Sequence, residues 1–174
     1  MNRCATFDKV SFEQFKNDVI DEFGDAFTEE LIKGYYDAIK LPRRATSGSA
    51  GYDFFLPFDI SIGVNYSNAT VKIPTGIRCK MDDGWVLCEL PRSGYGFKYG
   101  IHMANTMGVI DSDYYYSDNE GHIFIKLVND SVLSQPIDLN VGDAFCQGIF
   151  FPYGITTDDN AEGIRNGGFG STGC

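Results

Sequence analysis

The chain has 174 residues, 43% hydrophobic and 22% charged, which suits one globular domain with a sizeable core and excludes a disordered polymer. Fourteen basic residues against 24 acidic ones leave a net charge of −10, the reverse of the basic face with which a protein grips nucleic acid or an anionic membrane. The longest apolar runs, such as Phe54 to Phe58, fall far below the roughly 18 residues that cross a bilayer. Asp8, Glu13 and Asp18 interrupt the region where a secretion signal would carry its apolar stretch.

In chain order, residues 11–40 read as two helices. Ser11 followed by Gln14 has capping-box form, and Phe12, Phe15, Val19, Ile20 and Phe23 follow at helical spacing. Gly24 ends that helix. Thr28 caps the next, whose stripe is Leu31, Ile32, Tyr35, Tyr36 and Ile39. After Pro42 the pattern turns to strands: Tyr52–Phe55, Val71–Met81, Trp85–Leu90, His122–Val128 and Ala144–Phe151, with Asp82-Asp83-Gly84 as a hairpin turn. Turn residues recur about every ten positions, the rhythm of a sandwich or barrel of short antiparallel strands. Residues 165–174 read as a Gly-rich tail. The five cysteines, Cys4, Cys79, Cys88, Cys146 and Cys174, are odd in number, widely spaced and free of any Cys-x-x-Cys. That pattern points to a reducing cytoplasm rather than a disulfide framework or zinc site.

Four segments carry more chemistry than packing requires. Pro91-Arg92-Ser93-Gly94 offers a cation, a hydroxyl and a glycine that lets backbone amides approach an anion. As a lone motif it is also an ordinary turn. Asn105 through Tyr114 delivers Asp111 to the end of a strand, with Asp113 two residues on. Positions two apart in an extended chain share a face, so one of these carboxylates is expected to act as a base or sit near a cation. An acidic turn is the plain alternative. Gly142 through Gln147 enters an apolar strand that carries one amide needing partners. Arg165 through Gly173 combines Gly-flanked amides, two hydroxyls, an arginine and one phenylalanine, parts that can wrap a phosphate and stack on a flat ring. It lacks the Gly-Lys-Ser/Thr element of a P-loop. His102 and His122 have no metal-ligand spacing and read as structural.

Taken together and in order, these segments resemble the trimeric dUTPase family. Ala50-Gly51-Tyr52-Asp53 resembles the first family motif, and the four segments above resemble the second to fifth, with Leu41 through Thr46 matching ahead of them. The resemblance covers residues 41–174. It implies a mainly β, jelly-roll-like sandwich subunit, here within a single domain of residues 1–174. Residues 11–40 would be an added helical segment and 165–174 a C-terminal lid. It further implies hydrolysis of dUTP to dUMP and pyrophosphate, supplying dUMP for dTMP synthesis, in a cytoplasmic homotrimer with shared active sites. Asp111 would activate the attacking water. Magnesium would ride on the triphosphate, reached by Asp53 and Gln147 through water. Arg92, Ser93 and Gly94 would serve the phosphate chain. Asn105 and the backbone of Gly108, Val109 and Ile110 would read uracil from a hairpin, and Tyr114 would lie under the sugar and exclude a 2′-hydroxyl. Phe169 with Gly170 would close over the base, with Arg165, Ser171 and Thr172 on the γ-phosphate.

Two features depart from the family pattern: the helical segment, and the longer turn Tyr115 through Glu120 after Tyr114. They leave room for a second reading, a regulatory dUTPase-fold protein acting through a partner protein. A dCTP deaminase, which shares the fold, would need a catalytic Glu on the strand after the third motif. The strand His122–Val128 has none.

Overall fold

A computed structural model describes residues 2–64, 69–130 and 135–167. Helix α1 spans Phe12–Phe23 and α2 spans Glu29–Ala38, joined by a 3-10 turn at Gly24–Ala26. Ser11 caps α1, its Oγ accepting the Gln14 N–H at 3.1 Å. The return half of the capping box is not made by Gln14, whose amide donates instead to Asp18 at 2.8 Å. Ser11 turns its own N–H and hydroxyl to Glu120, each at 2.7 Å, so a carboxylate from the longer turn does that work. Thr28 caps α2 through the Leu31 N–H, and Gly24 closes α1 at φ +62°, where only glycine is unstrained. Phe15, Val19 and Ile32 reach the core fully buried, whereas Ile20 and Leu31 stay exposed, so the buried stripe is narrower than the apolar one.

The strands are β1 (Ala5–Lys9), β2 (Arg43–Arg44), β3 (Tyr52–Phe55), β4 (Ile60–Ile62), β5 (Thr70–Pro74), β6 (Ile77–Met81), β7 (Trp85–Pro91), β8 (Ile101–Met103), β9 (Gly108–Ile110), β10 (Phe124–Asn129), β11 (Ile137–Leu139) and β12 (Ala144–Pro152). A short helix α3, Ser93–Tyr99, follows β7. The largest sheet runs β2-β3-β12-β7-β9. Smaller ones are β5-β10-β8, β1-β6 and β4-β11, and the pairings are antiparallel. The result is a mainly β, jelly-roll-like fold.

Two expectations are corrected by this topology. The run Val71–Met81 is two strands, broken at Gly76, whose φ is +73° and whose missing Cβ leaves room for the Ile39 side chain. Asp82-Asp83-Gly84 does turn the chain, but not into a hairpin. β6 pairs with β1, and β7 pairs with β12 and β9, because strands distant in sequence take the edges a hairpin would have used.

The helical hairpin packs on the same hydrophobic cluster as the strands. The rings of Phe23, Tyr35 and Phe27 surround Phe58 at centroid distances of 5.3, 5.6 and 5.7 Å. Because α1 fills the core through Phe15, Phe15→Ala is expected to cost about 3–5 kcal/mol in urea unfolding, against less than about 1 kcal/mol for exposed Ile20→Ala. Equal costs would mean that the hairpin does not share the core.

Candidate active site

The first cluster lies across three neighbouring strands. Asp53 on β3 stands opposite Gln147 on β12, which stands opposite Leu90 on β7. Arg92, just past β7, places Nε 3.3 Å from Asp53 Oδ1 and donates from Nη1 to the Ala144 carbonyl at 3.2 Å. Gln147 Nε2 donates to the Pro91 carbonyl at 3.4 Å, and Gln147 Oε1 occupies the space that a Cβ on Gly51 would need. Ser93 and Gly94 open α3, whose Arg92 cap makes no side-chain bond to the first turn. The leading amides of a helix have no acceptors of their own, and they favour anionic oxygens. The sheet thus gathers Asp53, Arg92, Ser93, Gly94 and Gln147.

The second cluster hangs from edge strand β9. Ile110 pairs with Leu87 and Gly108 with Glu89 on β7, and Asp111 follows at once. Val109 is exposed, whereas Gly108 and Ile110 are buried. Asp111 and Asp113 do not share a face through strand alternation, since the chain enters a 3-10 turn over Ser112–Tyr116. What unites them is Arg165. Its Nη2 meets Asp111 Oδ2 at 2.5 Å and its Nε meets Asp113 Oδ1 at 2.9 Å, so one guanidinium fork spans both carboxylates. The same guanidinium lies 5.8 Å from the Tyr114 ring. Tyr114 is buried, which pushes its phenol up, and its hydroxyl donates to the His122 carbonyl at 2.6 Å.

Asn105 sits in the turn between β8 and β9. The expected hairpin is open: β8 pairs with β10 and β9 with β7, so the turn bridges two sheets. It is held by the Thr106 N–H on the Met103 carbonyl at 3.0 Å, with Thr106 at φ +64°. Asn105 lines a cleft of about 490 Å³ with Lys72, Asn119, Phe124 and Lys126. Phe169, Gly170, Ser171 and Thr172 lie outside the described residues.

The two clusters occupy opposite ends of β7. Asp111 follows the residue opposite Leu87, while Arg92 lies five residues further along the strand. At about 3.3 Å per residue, that places their backbones roughly 17 Å apart along the strand.

Residues that sequence reasoning missed surround these clusters. Partly exposed Asp18 meets the buried His122 ring at 2.5 Å, and Asn119 Nδ2 donates to the Tyr114 hydroxyl at 2.9 Å. Asp18 and His122 lie 104 positions apart, so no spacing could reveal them. Glu89 is buried beneath β9, and neither of its carboxyl oxygens has a partner among the described residues. Burial pushes its acid up to about 8.

One cluster presents a cation, a hydroxyl and amides suited to phosphate oxygens; the other presents a carboxylate beside an aromatic platform. These are groups of the kinds that can bind phosphate oxygens and take up a proton. Comparison with known proteins gives the family. The dUTPase family model matches residues 37–173. The deoxyuridine 5'-triphosphate nucleotidohydrolase of Lactococcus lactis is 38% identical over 150 residues, 83% of this chain and 96% of that protein. The same enzyme of Haemophilus ducreyi is 39% identical over 139 residues, 76% of this chain and 86% of that protein. The crystal structure of dUTPase from Streptococcus mutans superimposes with a TM-score of 0.63 at 32% identity, covering 86% of this chain and 97% of that one. A dUTPase from phage phi11 of S. aureus, described as coordinating a structural Mg(II) ion, shares the fold at 18% identity with a TM-score of 0.57, covering 71% of this chain and 90% of that one.

The chain belongs to the dUTPase family. Its activity is that of a dUTP diphosphatase. No helix among the described residues is long and apolar enough to cross a membrane.

The buried Glu89 acid has a pH signature. Its folded value of about 8 lies above the ordinary 4.5, so between those values the folded chain holds a proton that the unfolded chain has released. Stability therefore falls as pH rises through that window. Glu89→Gln removes this slope: relative to the unmutated protein, the variant is expected to gain about 1.4 kcal/mol per pH unit from pH 5 to 7 in urea titrations. A difference that stays constant with pH would place the carboxyl in contact with water.

Proposed function

We propose that the chain hydrolyses dUTP by in-line attack of an Asp111-activated water on the α-phosphorus, at a site completed by a second copy of the chain. The observation that carries this reading is the separation of the two clusters along β7. With backbones roughly 17 Å apart along β7, the Asp111 and Arg92 clusters fit a site shared between two copies better than one within a single copy. A closed homotrimer would bring the Asp111 cluster of one copy against the Arg92 cluster of the next.

In this reading Arg92, Ser93 and Gly94 bind the triphosphate chain and orient its α-phosphorus. The water oxygen bonds to phosphorus as the bond to the α–β bridging oxygen breaks. Asp111 takes the water's proton, and pyrophosphate leaves with the bridging oxygen. Asn105 and the Gly108–Ile110 backbone read uracil; a pocket that satisfies both edges of uracil leaves the amino group of cytosine mispaired. Tyr114 packs under the deoxyribose. Arg165 first holds Asp111 and Asp113, then exchanges Asp111 for the γ-phosphate, which frees the carboxylate for water. Residues 165–174 act as the lid, Phe169 and Gly170 on the base, Ser171 and Thr172 on the γ-phosphate. The chain works as a single domain in the cytoplasm, clearing dUTP and supplying dUMP for dTMP synthesis.

Hard oxygen donors, the Asp53 carboxylate and the Gln147 amide oxygen, stand opposite each other on β3 and β12 and suit magnesium acting through bound water. Magnesium, when bound, offsets the charge of the triphosphate. Asp53 is otherwise faced by Arg92 at 3.3 Å, so protein and ion share the task of neutralising the phosphates.

Asp111→Asn is expected to lower kcat by about 10³-fold or more, with dUTP affinity held within about tenfold. Loss of binding instead would remove Asp111 from the role of base. The shared site has its own test. Asp111→Asn and Arg92→Ala subunits, each inactive alone, are mixed, unfolded and reassembled. Random assembly leaves roughly a quarter of the sites with both clusters intact, so activity should return to about that fraction. No recovery would confine each site to one copy.

A further inference from the structure

The helical hairpin and the longer turn after Tyr114 meet each other, and a chain of side chains through His122 links both to Tyr114. The Tyr114 hydroxyl donates to the His122 carbonyl at 2.6 Å and accepts from Asn119 Nδ2 at 2.9 Å. His122 is itself clamped on both sides of its ring. The Gly76 N–H approaches Nε2 at 2.7 Å and can only donate, so Nε2 is the acceptor and the ring proton sits on Nδ1. That proton points at Asp18 Oδ2, 2.5 Å away on α1, and Asp18 is steadied in turn by Gln14 at 2.8 Å. The turn is pinned from the other side. Glu120, at φ +58°, accepts both hydrogen bonds from Ser11 at the start of α1. Arg78 donates to the Tyr115 carbonyl at 2.9 Å. A Cβ on Gly121 would strike the backbone of Tyr114 and Tyr115, so the turn folds tightly back on the ring it follows.

An Asp–His pair resembles a proton-transfer dyad. Here both ring nitrogens are occupied and the ring is fully buried, so the imidazole has no free nitrogen to offer a reacting water. Its effect is mechanical: it fixes the carbonyl on which Tyr114 hangs.

We propose that Asp18, acting through His122, and Asn119 are positioning residues for the Tyr114 ring, so that the helical hairpin takes part in discriminating deoxyribose from ribose. The inference rests on the reading above that Tyr114 packs under the sugar. Excluding one hydroxyl oxygen depends on where the ring stands. A ring released from its carbonyl clamp and its Asn119 donor can tilt and admit it.

The experiment compares kcat and KM for dUTP and UTP, with magnesium, in the full-length protein and in Asp18→Ala, Asp18→Asn, Asn119→Ala and Tyr114→Ala. Tyr114→Ala serves as the reference for an unguarded sugar site. Asp18→Ala and Asn119→Ala are expected to raise kcat/KM for UTP relative to dUTP by about tenfold, chiefly through KM, with kcat for dUTP within about threefold. Asp18→Asn keeps an acceptor for the His122 Nδ1–H and is expected to restore most of the discrimination. If Asp18→Ala does not fold, Asn119→Ala decides. Folded variants that keep the original UTP to dUTP ratio, while Tyr114→Ala relaxes it, would overturn the proposal and leave the network as scaffold. A Tyr114→Ala enzyme that still excludes UTP would overturn the sugar reading itself, and this proposal with it.

Discussion

Strand β7 is hydrogen-bonded on both edges, and the site depends on its register. Against β12 it pairs from Cys146 opposite Pro91 to Pro152 opposite Trp85, and against β9 from Glu89 opposite Gly108 to Leu87 opposite Ile110. A slip of one residue would exchange the faces on which Leu87, Cys88 and Glu89, all buried, now stand. Gly148 admits no slip, because a Cβ there would press on Leu87 and Phe54. The same strand leads directly into Arg92 and pairs, at Leu87–Glu89, with the strand that delivers Asp111. One rigid element therefore sets how far the Arg92 cluster stands from Asp111 along the sheet.

Electrostatics follow from that frame. A chain of net charge −10 repels a triphosphate at long range, so binding must rest on local cations. Both site arginines are held by carboxylates: Arg92 by Asp53, and Arg165 by Asp111 and Asp113. These pairings keep the guanidinium groups oriented before substrate arrives. They also avoid a cost, since an unpaired buried charge is heavily penalised, and the Arg165 side chain is only 16% exposed.

What was legible in the sequence had local causes. Ser11, Thr28 and Gly24 announce helix ends because capping is decided within four residues. Strands β3, β7 and β12 were found to within a residue at either end because alternation and flanking turns mark them. The family was legible because its motifs are short runs of particular residue types in a fixed order. Pairing was not legible. Asp82-Asp83-Gly84 and residues 104–107 look like hairpin turns, yet each joins strands of different sheets. Which strand takes an edge is settled by distant elements such as β1 and β12. For the same reason Gln14 reads as a capping-box partner, while Glu120, 109 residues from Ser11, takes that place.

The two departures from the family pattern compensate each other. A longer turn after Tyr114 places Glu120 in the left-handed region, a conformation that costs on the order of 1–3 kcal/mol for a non-glycine residue. Burial also pushes the Glu120 carboxyl up, yet the two hydrogen bonds from Ser11, with the Arg78 charge, outweigh it and hold the acid below its ordinary value. Those bonds come from the residue that caps α1, so the turn keeps its shape only while the helix is docked. The helix docks through Phe15 and Val19, and Asp18 lies between them on the same turn to meet His122. Helix and turn therefore form one cooperative unit built around the Tyr114 hydroxyl. That arrangement explains how an enzyme could carry both additions while keeping the residues from Asn105 to Tyr114 in the order the reaction requires.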